Sequence, residues 1–329
     1  MKILVTGGTG FIGSRLALRC MENGDSVRVL GQENTPAEEE NRKTIEEGGA
    51  EVVLASVVDR GGVFEATKGV DLIYHLAAAQ HEAGVSDQVF WDVNVAGTKN
   101  ILEASLENKV DRVIHGSTIG VYGSTKEEEI DEQSPLNPDN IYGITKLEGE
   151  NFVRSFRNRI PVVIIRISET YGPGDRRLLK LFKAIKKNAF FMIGNGENLH
   201  HLIFIDDLIE GFLCAARDEK AVGETFVFAG KEFLTTNEMV GIIAEELGTK
   251  IRKIRAPLLP FLLLATLMEK GCRPIGIQPP LHPRRMDFFR KGFFFSKEKP
   301  KRILGFDPKV DFREGVRKTV QWYEEAGYL

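Results

Sequence analysis

Cysteine is scarce: the 329 residues contain three, Cys20, Cys214 and Cys272. An odd, widely separated set without metal-ligand spacing argues against a disulfide scaffold and a metal site, and fits reduced thiols in a cytoplasmic protein. A surplus of charge is missing too. Against 47 acids stand 44 bases, a net charge of −3, which gives no general pull toward nucleic acid or an anionic membrane. Long apolar runs are also lacking. Met1–Thr6 is a short run built on Ile3, Leu4 and Val5 and broken at once by Gly7 and Gly8, with no small-residue cleavage site behind a long apolar core, so it does not read as a signal peptide. Residues 256–268 form the most apolar later stretch, yet Pro257 and Pro260 interrupt it. It falls short of the roughly 18 residues a membrane span needs. The expectation is a buried helix or a pocket wall, and no membrane segment.

What is present is alternation. Ile3, Leu4 and Val5 read as a buried strand, followed by a glycine turn and a helix carrying Phe11, Ile12, Leu16, Leu18 and Met21, with Asn23-Gly24 as its stop. Strands are expected at 27–30, 52–54, 72–74, 113–115 and 162–165, with helices over 86–108 and 142–158. Strands spaced by helix-length segments predict an α/β fold with a doubly wound parallel sheet. After Arg166 the regularity fades, although 203–205 and 226–228 look like strands that return to the sheet. The phenylalanine-rich stretch 279–301 reads as folded loop and short helix. This predicts a dinucleotide-binding domain over 1–166 plus about 199–229, and a smaller discontinuous substrate domain over 167–198 plus about 230–329.

The strongest local signal is Gly7-Gly8-Thr9-Gly10-Phe11-Ile12-Gly13, after the first strand and opening the first helix. Glycines there permit a tight turn and close backbone approach to a pyrophosphate, and the helix start offers free N–H groups. The second strand ends at Gly31-Gln32-Glu33. Gly stands where an acid for the ribose would sit best. Glu33 either reaches the ribose or is a solvated charge, so the choice between NAD and NADP stays open here, and the expected cofactor is NAD(P) with NAD favoured. Tyr142 and Lys146, four apart, share a helix face. A cation beside a phenol lowers its pKa toward working pH, suiting Tyr142 to acid–base work. Thr118 follows the strand at 113–115, at the carboxyl edge of the sheet where open α/β sheets bind ligands.

These residues resemble an extended short-chain dehydrogenase/reductase of the NAD-dependent epimerase/dehydratase family. The likeness rests on the glycine motif, His75-Leu76-Ala77-Ala78, Asn94-Val95-Ala96-Gly97-Thr98, Thr118, Tyr142 with Lys146, Arg166, Tyr171-Gly172-Pro173-Gly174 and Phe204-Ile205-Asp206-Asp207-Leu208. It implies a catalytic set of Thr118, Tyr142 and Lys146. The cofactor would be lined by Gly7, Gly10, Phe11, Ile12, Gly13, Gln32, Leu76, Ala77, Ala78 and Asn94, with Tyr142 and Lys146. It also implies a homodimer joined by a four-helix bundle from the helices holding Asn94 and Tyr142.

Departures bear on the substrate. Glu169 stands where nucleotide-sugar members often carry Asn, and His200-His201 where they often carry Arg-Asp. Glu169 would repel a substrate diphosphate unless an arginine offset it, with Arg284 and Arg285 as candidates. Glu169, His200, Arg284 and Arg285, with Thr118, are the substrate-binding expectation; surface charges and surface histidines are the plain alternative. His75 is expected to pack or cap, and Asp206 and Asp207 to cap a helix. Ile119-Gly120 follow Thr118 where dehydratases of the family often have Asp-Glu, so epimerisation or simple redox is favoured. The expected function is an NAD(P)-dependent epimerase or oxidoreductase acting on a secondary alcohol or ketone of a nucleotide sugar. A hydroxysteroid-dehydrogenase-like or dihydroflavonol-reductase-like enzyme is the alternative, and a non-catalytic cofactor sensor a minor one.

Overall fold

In the computed structural model, residues 1–80, 85–124, 129–252, 254–272 and 283–329 are described, apart from the side chains of 269 and 283–285. Six strands and six helices fill the first half: β1 (Lys2–Thr6), α1 (Phe11–Glu22), β2 (Ser26–Gly31), α2 (Pro36–Glu47), β3 (Glu51–Leu54), α3 (Arg60–Thr67), β4 (Leu72–His75), α4 (Asp87–Trp91), α5 (Thr98–Glu107), β5 (Arg112–Thr118), α6 (Ile141–Phe156) and β6 (Val162–Ile167). Then come β7 (Thr170–Tyr171), α7 (Leu179–Lys186), β8 (Met192–Ile193), β9 (Leu199–His200), β10 (Ile203–Phe204), α8 (Ile205–Arg217), β11 (Thr225–Phe228), β12 (Leu234–Thr235), α9 (Thr236–Glu246), β13 (Arg255–Ala256), α10 (Leu258–Cys272), α11 (Pro283–Arg290), α12 (Glu298–Leu304) and α13 (Phe312–Glu325).

Seven strands form one parallel sheet in the order β11-β6-β5-β4-β1-β2-β3. Successive strand residues point to opposite faces, and here both faces are apolar. Ile3 and Val5 join one core with Val29, Tyr74, Ile114 and Val163, against Leu16 and Ala17 of α1 and Leu208 and Phe212 of α8. Leu4, Leu30, Ile73, Val113 and Ile164 join the other, against Val63 of α3, Ile101 of α5 and Val153 of α6. Helices on both faces are what a parallel sheet requires, so the doubly wound expectation holds. The chain leaves β1 in one direction and returns to β4 on its other side. That reversal opens a crevice at their carboxyl ends.

Two expectations change. Ile203–Phe204 does not return to the main sheet but pairs with Thr170–Tyr171 in a two-stranded sheet of its own. The expected helix over 86–108 is interrupted by a π-helical segment, Asp92–Gly97, between α4 and α5. Such a bulge places one extra residue in the turn and often marks a functional site. Here Asn94 lies within it.

Candidate active site

The loop after β1 is shaped by its glycines. Gly7 has φ +66, and a Cβ on it would lie 2.8 Å from the Ala77 backbone, so the loops after β1 and β4 touch. A Cβ on Gly13 would collide with the Gly7 carbonyl oxygen, so α1 can rest directly on the turn. Gly10 is the N-cap of α1 and makes no side-chain cap bond. A Cβ there meets a single atom, Gly7 O at 3.2 Å, with open space beyond. An uncapped helix start in a backbone-lined cradle fits a pyrophosphate. Phe11 and Ile12 form the first turn of α1, and the Phe11 ring approaches Gly174.

At the end of β2 the missing acid has a physical cause. A Cβ on Gly31 would sit 2.6 Å from Thr9 Oγ1. Thr9, 2% exposed, fills that space and donates to the Gln32 carbonyl at 2.7 Å. Gln32 itself is exposed. Glu33 is not a free charge: Arg42, arriving from α2, holds it at 2.9 Å and also grips Glu46.

Beyond β4, His75 packs as expected, bonded to Thr6 Oγ1 at 2.7 Å and Thr98 Oγ1 at 3.0 Å. Burial, with the Lys146 charge, pushes its pKa down to about 3, so the ring is neutral. Leu76, Ala77 and Ala78 are half-buried along the crevice. Buried Asn94 accepts from Ala79 N–H at 2.8 Å and donates to Thr145 Oγ1 at 3.0 Å. Its observed role is to hold this loop against α6.

Thr118 ends β5 and its Oγ1 accepts from Gly120 N–H at 3.0 Å, leaving the hydroxyl proton available to a ligand. Asn140 caps α6, accepting from Gly143 N–H. A Cβ on Gly120 would lie 3.4 Å from Thr118 Oγ1 and 3.9 Å from the Tyr142 ring, which places those two side chains on either side of one small residue. Lys146, one turn on, is 1% exposed and donates to the Gly116 carbonyl at 2.6 Å. Burial lowers its pKa to about 8, against an upward pull from Glu150.

Glu150 is fully buried and accepts from Ser117 at 2.6 Å, Arg154 at 2.6 Å and Arg166 at 3.1 and 3.0 Å. Arg166, beside Ser117 in the β5–β6 register, also donates to Tyr122 OH at 2.8 Å. Burial works to raise the Glu150 carboxyl, but these bonds and charges outweigh it and hold it below its ordinary value.

The opposite wall comes from the segment after β6. The Glu169 side chain is 53% exposed and pairs with His200 Nδ1 at 3.4 Å. Its crowded setting works to raise the carboxyl, but His200 and Arg177 outweigh this and hold it low. Arg177 is anchored by Asp175 at 3.1 Å and by the Thr170 carbonyl, and its charge acts on both Glu169 and Tyr142. The Arg177 charge thus links the Glu169–His200 pair to Tyr142.

Residues 3–229 match the model of the NAD dependent epimerase/dehydratase family. The chain belongs to that family. Over 339 residues it is 29% identical to the human dTDP-D-glucose 4,6-dehydratase, covering 98% of this chain and 90% of that one. A 3beta-hydroxysteroid-dehydrogenase/decarboxylase of Arabidopsis thaliana is 27% identical over 348 residues, 96% of this chain and 61% of the relative. Among solved structures, a UDP-glucuronic acid 4-epimerase from Bacillus cereus in complex with NAD is 25% identical, with TM-score 0.81 over 99% of both chains. The protein is an NAD(P)-dependent enzyme of the extended short-chain dehydrogenase/reductase type.

Within this family member several expectations are corrected. His200 and His201 are buried, at 6% and 4% exposure, and are not surface histidines. Asp206 and Asp207 do not cap α8, whose N-cap is Phe204. Asp206 pairs with Arg15, and Asp207 accepts from Lys309 and Val310 N–H. Arg284 and Arg285 fall in the first turn of α11, but their side chains lie outside the described residues. The arginine that acts on Glu169 is Arg177, which sequence reasoning missed. Its one signal was position, three residues after the Gly172-Pro173-Gly174 turn. Among the described residues no group of three or more His, Cys, Asp or Glu side chains could hold a metal ion.

Proposed function

We propose that this chain is a nucleotide-sugar epimerase that oxidises a ring carbinol and reduces the resulting ketone from its other face. What supports this reading is that Thr118 and Tyr142 both lie against Gly120, while the Arg177 charge acts on Tyr142 and on Glu169, which pairs with His200. The bound nicotinamide cofactor supplies a hydride acceptor and donor. Tyr142 takes the carbinol proton as the C–H bond breaks and returns it to the oxygen in the reverse step. Thr118 donates to the same oxygen and fixes its position. Lys146 keeps positive charge beside the phenol, and its buried grip on Gly116 O holds it there. Arg177 supports the anionic part of the substrate and offsets Glu169. Dehydration needs a further acid or base next to Thr118, and the following turn offers Ile119 and Gly120.

The domain division at 166, 199 and 229 follows this reading, with Thr118, Tyr142 and Lys146 on the sheet side and Arg177 beyond it. A homodimer is supported by Val89 and Trp91 on α4 and Ile144 on α6, large apolar residues 39–40% exposed. The three free thiols support a cytoplasmic enzyme. No described helix is long and apolar enough to cross a membrane.

The test is NMR of UDP- and dTDP-hexoses incubated with the protein and NAD⁺. Interconversion of epimers without accumulation of NADH is expected. The Tyr142→Phe variant should bind NAD⁺ normally and lose about 10²–10⁴-fold in rate. Net NADH formation on a steroid-like alcohol, with no epimerisation, would favour the second reading, which the Arabidopsis relative supports. A Tyr142→Phe variant turning over at the wild-type rate would refute the chemistry.

A further inference from the structure

We propose that the outer face of α10, with the cations at its two ends, docks on an anionic phospholipid bilayer. The expected buried helix is buried on one side only. Leu258, Phe261 and Leu262 pack with Ile193, Met286 and Phe289, and Ala265 is fully buried. The other side carries Leu259, Leu263, Leu264 and Leu267, at 65, 57, 48 and 69% exposure. Positions i, i+4, i+5 and i+8 lie on one stripe of a helix. Ile254, 56% exposed, precedes the helix, and the exposed Phe191 ring stands 5.9 Å from Phe261, which extends the patch. Single exposed apolar residues are ordinary; a continuous stripe marks a binding surface.

Charge selects the occupant. Lys250, Arg252 and Arg255 lead into the helix and Lys270 lies near its end, all exposed. Among the described residues none of the four pairs with a carboxylate; Arg255 bonds instead to the Asn195 carbonyl and Asn237 Oδ1. In a chain of net charge −3, three cations leading into a leucine stripe and one near its end, none with a carboxylate partner among the described residues, match a headgroup layer above an acyl boundary. At 15 residues α10 is too short to span a bilayer, so it lies in the interface plane. A second copy of the chain is the rival occupant, but Val89, Trp91 and Ile144 already offer a separate apolar face for it.

The experiment is co-sedimentation of the full chain with vesicles of phosphatidylcholine alone and of phosphatidylcholine with phosphatidylglycerol, at low and high salt. It does not read turnover, so it stands apart from the substrate assignment. Binding to the anionic vesicles is expected, falling with salt and weak on phosphatidylcholine alone. The variant Leu259→Asp, Leu263→Asp, Leu267→Asp should lose binding about tenfold or more while keeping its NAD⁺ affinity, which reports folding. A second variant, Lys250→Glu, Arg252→Glu, Lys270→Glu, keeps the leucines and should lose the preference for anionic vesicles. The proposal is overturned if wild type does not sediment with anionic vesicles, or if both variants bind them as well as wild type. It is equally overturned if the leucine variant changes only the oligomeric state seen by light scattering.

Discussion

Replacing Lys146 by Met should stabilise the fold while it abolishes turnover. Lys146 is 1% exposed, and burial lowers its pKa from the ordinary 10.5 to about 8. At about 1.36 kcal/mol per pH unit, keeping it charged at neutral pH costs about 3 kcal/mol of stability. Losing the bond to Gly116 O gives back about 1 kcal/mol. Met matches the stem in volume and leaves little cavity. The net gain is about 2 kcal/mol, or about 3 °C in Tm for a chain of this length. The sign has a pH signature. Below about pH 8 the lysine is protonated in both states, so the full cost is present. Between about 8 and 10.5 the unfolded chain holds the proton and the native one does not, so wild-type stability rises with pH. The gap between variant and wild type should therefore be widest near pH 7 and shrink above pH 8. Urea unfolding of the cofactor-free proteins across that range reads it directly. A variant less stable than wild type at neutral pH, or a gap that does not narrow, would refute the reasoning.

Three further substitutions probe the crevice. Gly10→Val should leave Tm nearly unchanged, since its Cβ meets only Gly7 O at 3.2 Å, yet fluorescence titration should show NAD(H) binding lost; retained affinity in a folded variant removes the pyrophosphate from this turn. Gly31→Asp alone should weaken NAD(H) binding about tenfold or more by displacing Thr9, and adding Thr9→Ala should restore it; normal binding by the single variant would mean Thr9 does not shape the loop. Arg177→Ala should raise KM for a nucleotide sugar about tenfold with a smaller change in kcat, and an unchanged KM would place the substrate elsewhere.

The parts legible in the sequence are those carried by one continuous segment. The strand, glycine turn and helix at 2–22 are such a case, as are Tyr142 and Lys146 on one face of α6. What was not legible depends on distant neighbours. Ile203 and Phe204 read as a sheet strand because apolar runs look alike whichever strand they pair with. Gly31 looked like a lost ribose contact until Thr9, 22 positions earlier, was seen in its space. His200 and His201 carry no hydropathy that separates surface from interior. Arg177 follows an aperiodic turn, and its direction is set by Asp175, itself held through its carbonyl by Tyr323 OH. A helix apolar all round reads as buried, and sequence alone does not say that one face of α10 is left uncovered.

The charge network behind α6 shows why residues of several motifs act as one unit. Lys146 is tolerated in the interior because Glu150, one turn away on the same helix, supports its charge. Glu150 is tolerated because Arg166 grips both its oxygens and Ser117 and Arg154 add two more donors. Removing Glu150 would strand the buried Arg166 guanidinium, and removing Arg166 would strand the Glu150 carboxylate, and either costs far more than the pair contributes. The carboxylate also fixes geometry: Ser117 and Gly116 are consecutive on β5, so one tie holds Glu150 and the next holds Lys146. With Arg166 on β6, the same network ties α6 and β5 to the strand that leads toward Glu169. The ties span 16, 30 and 33 residues, beyond any local pattern.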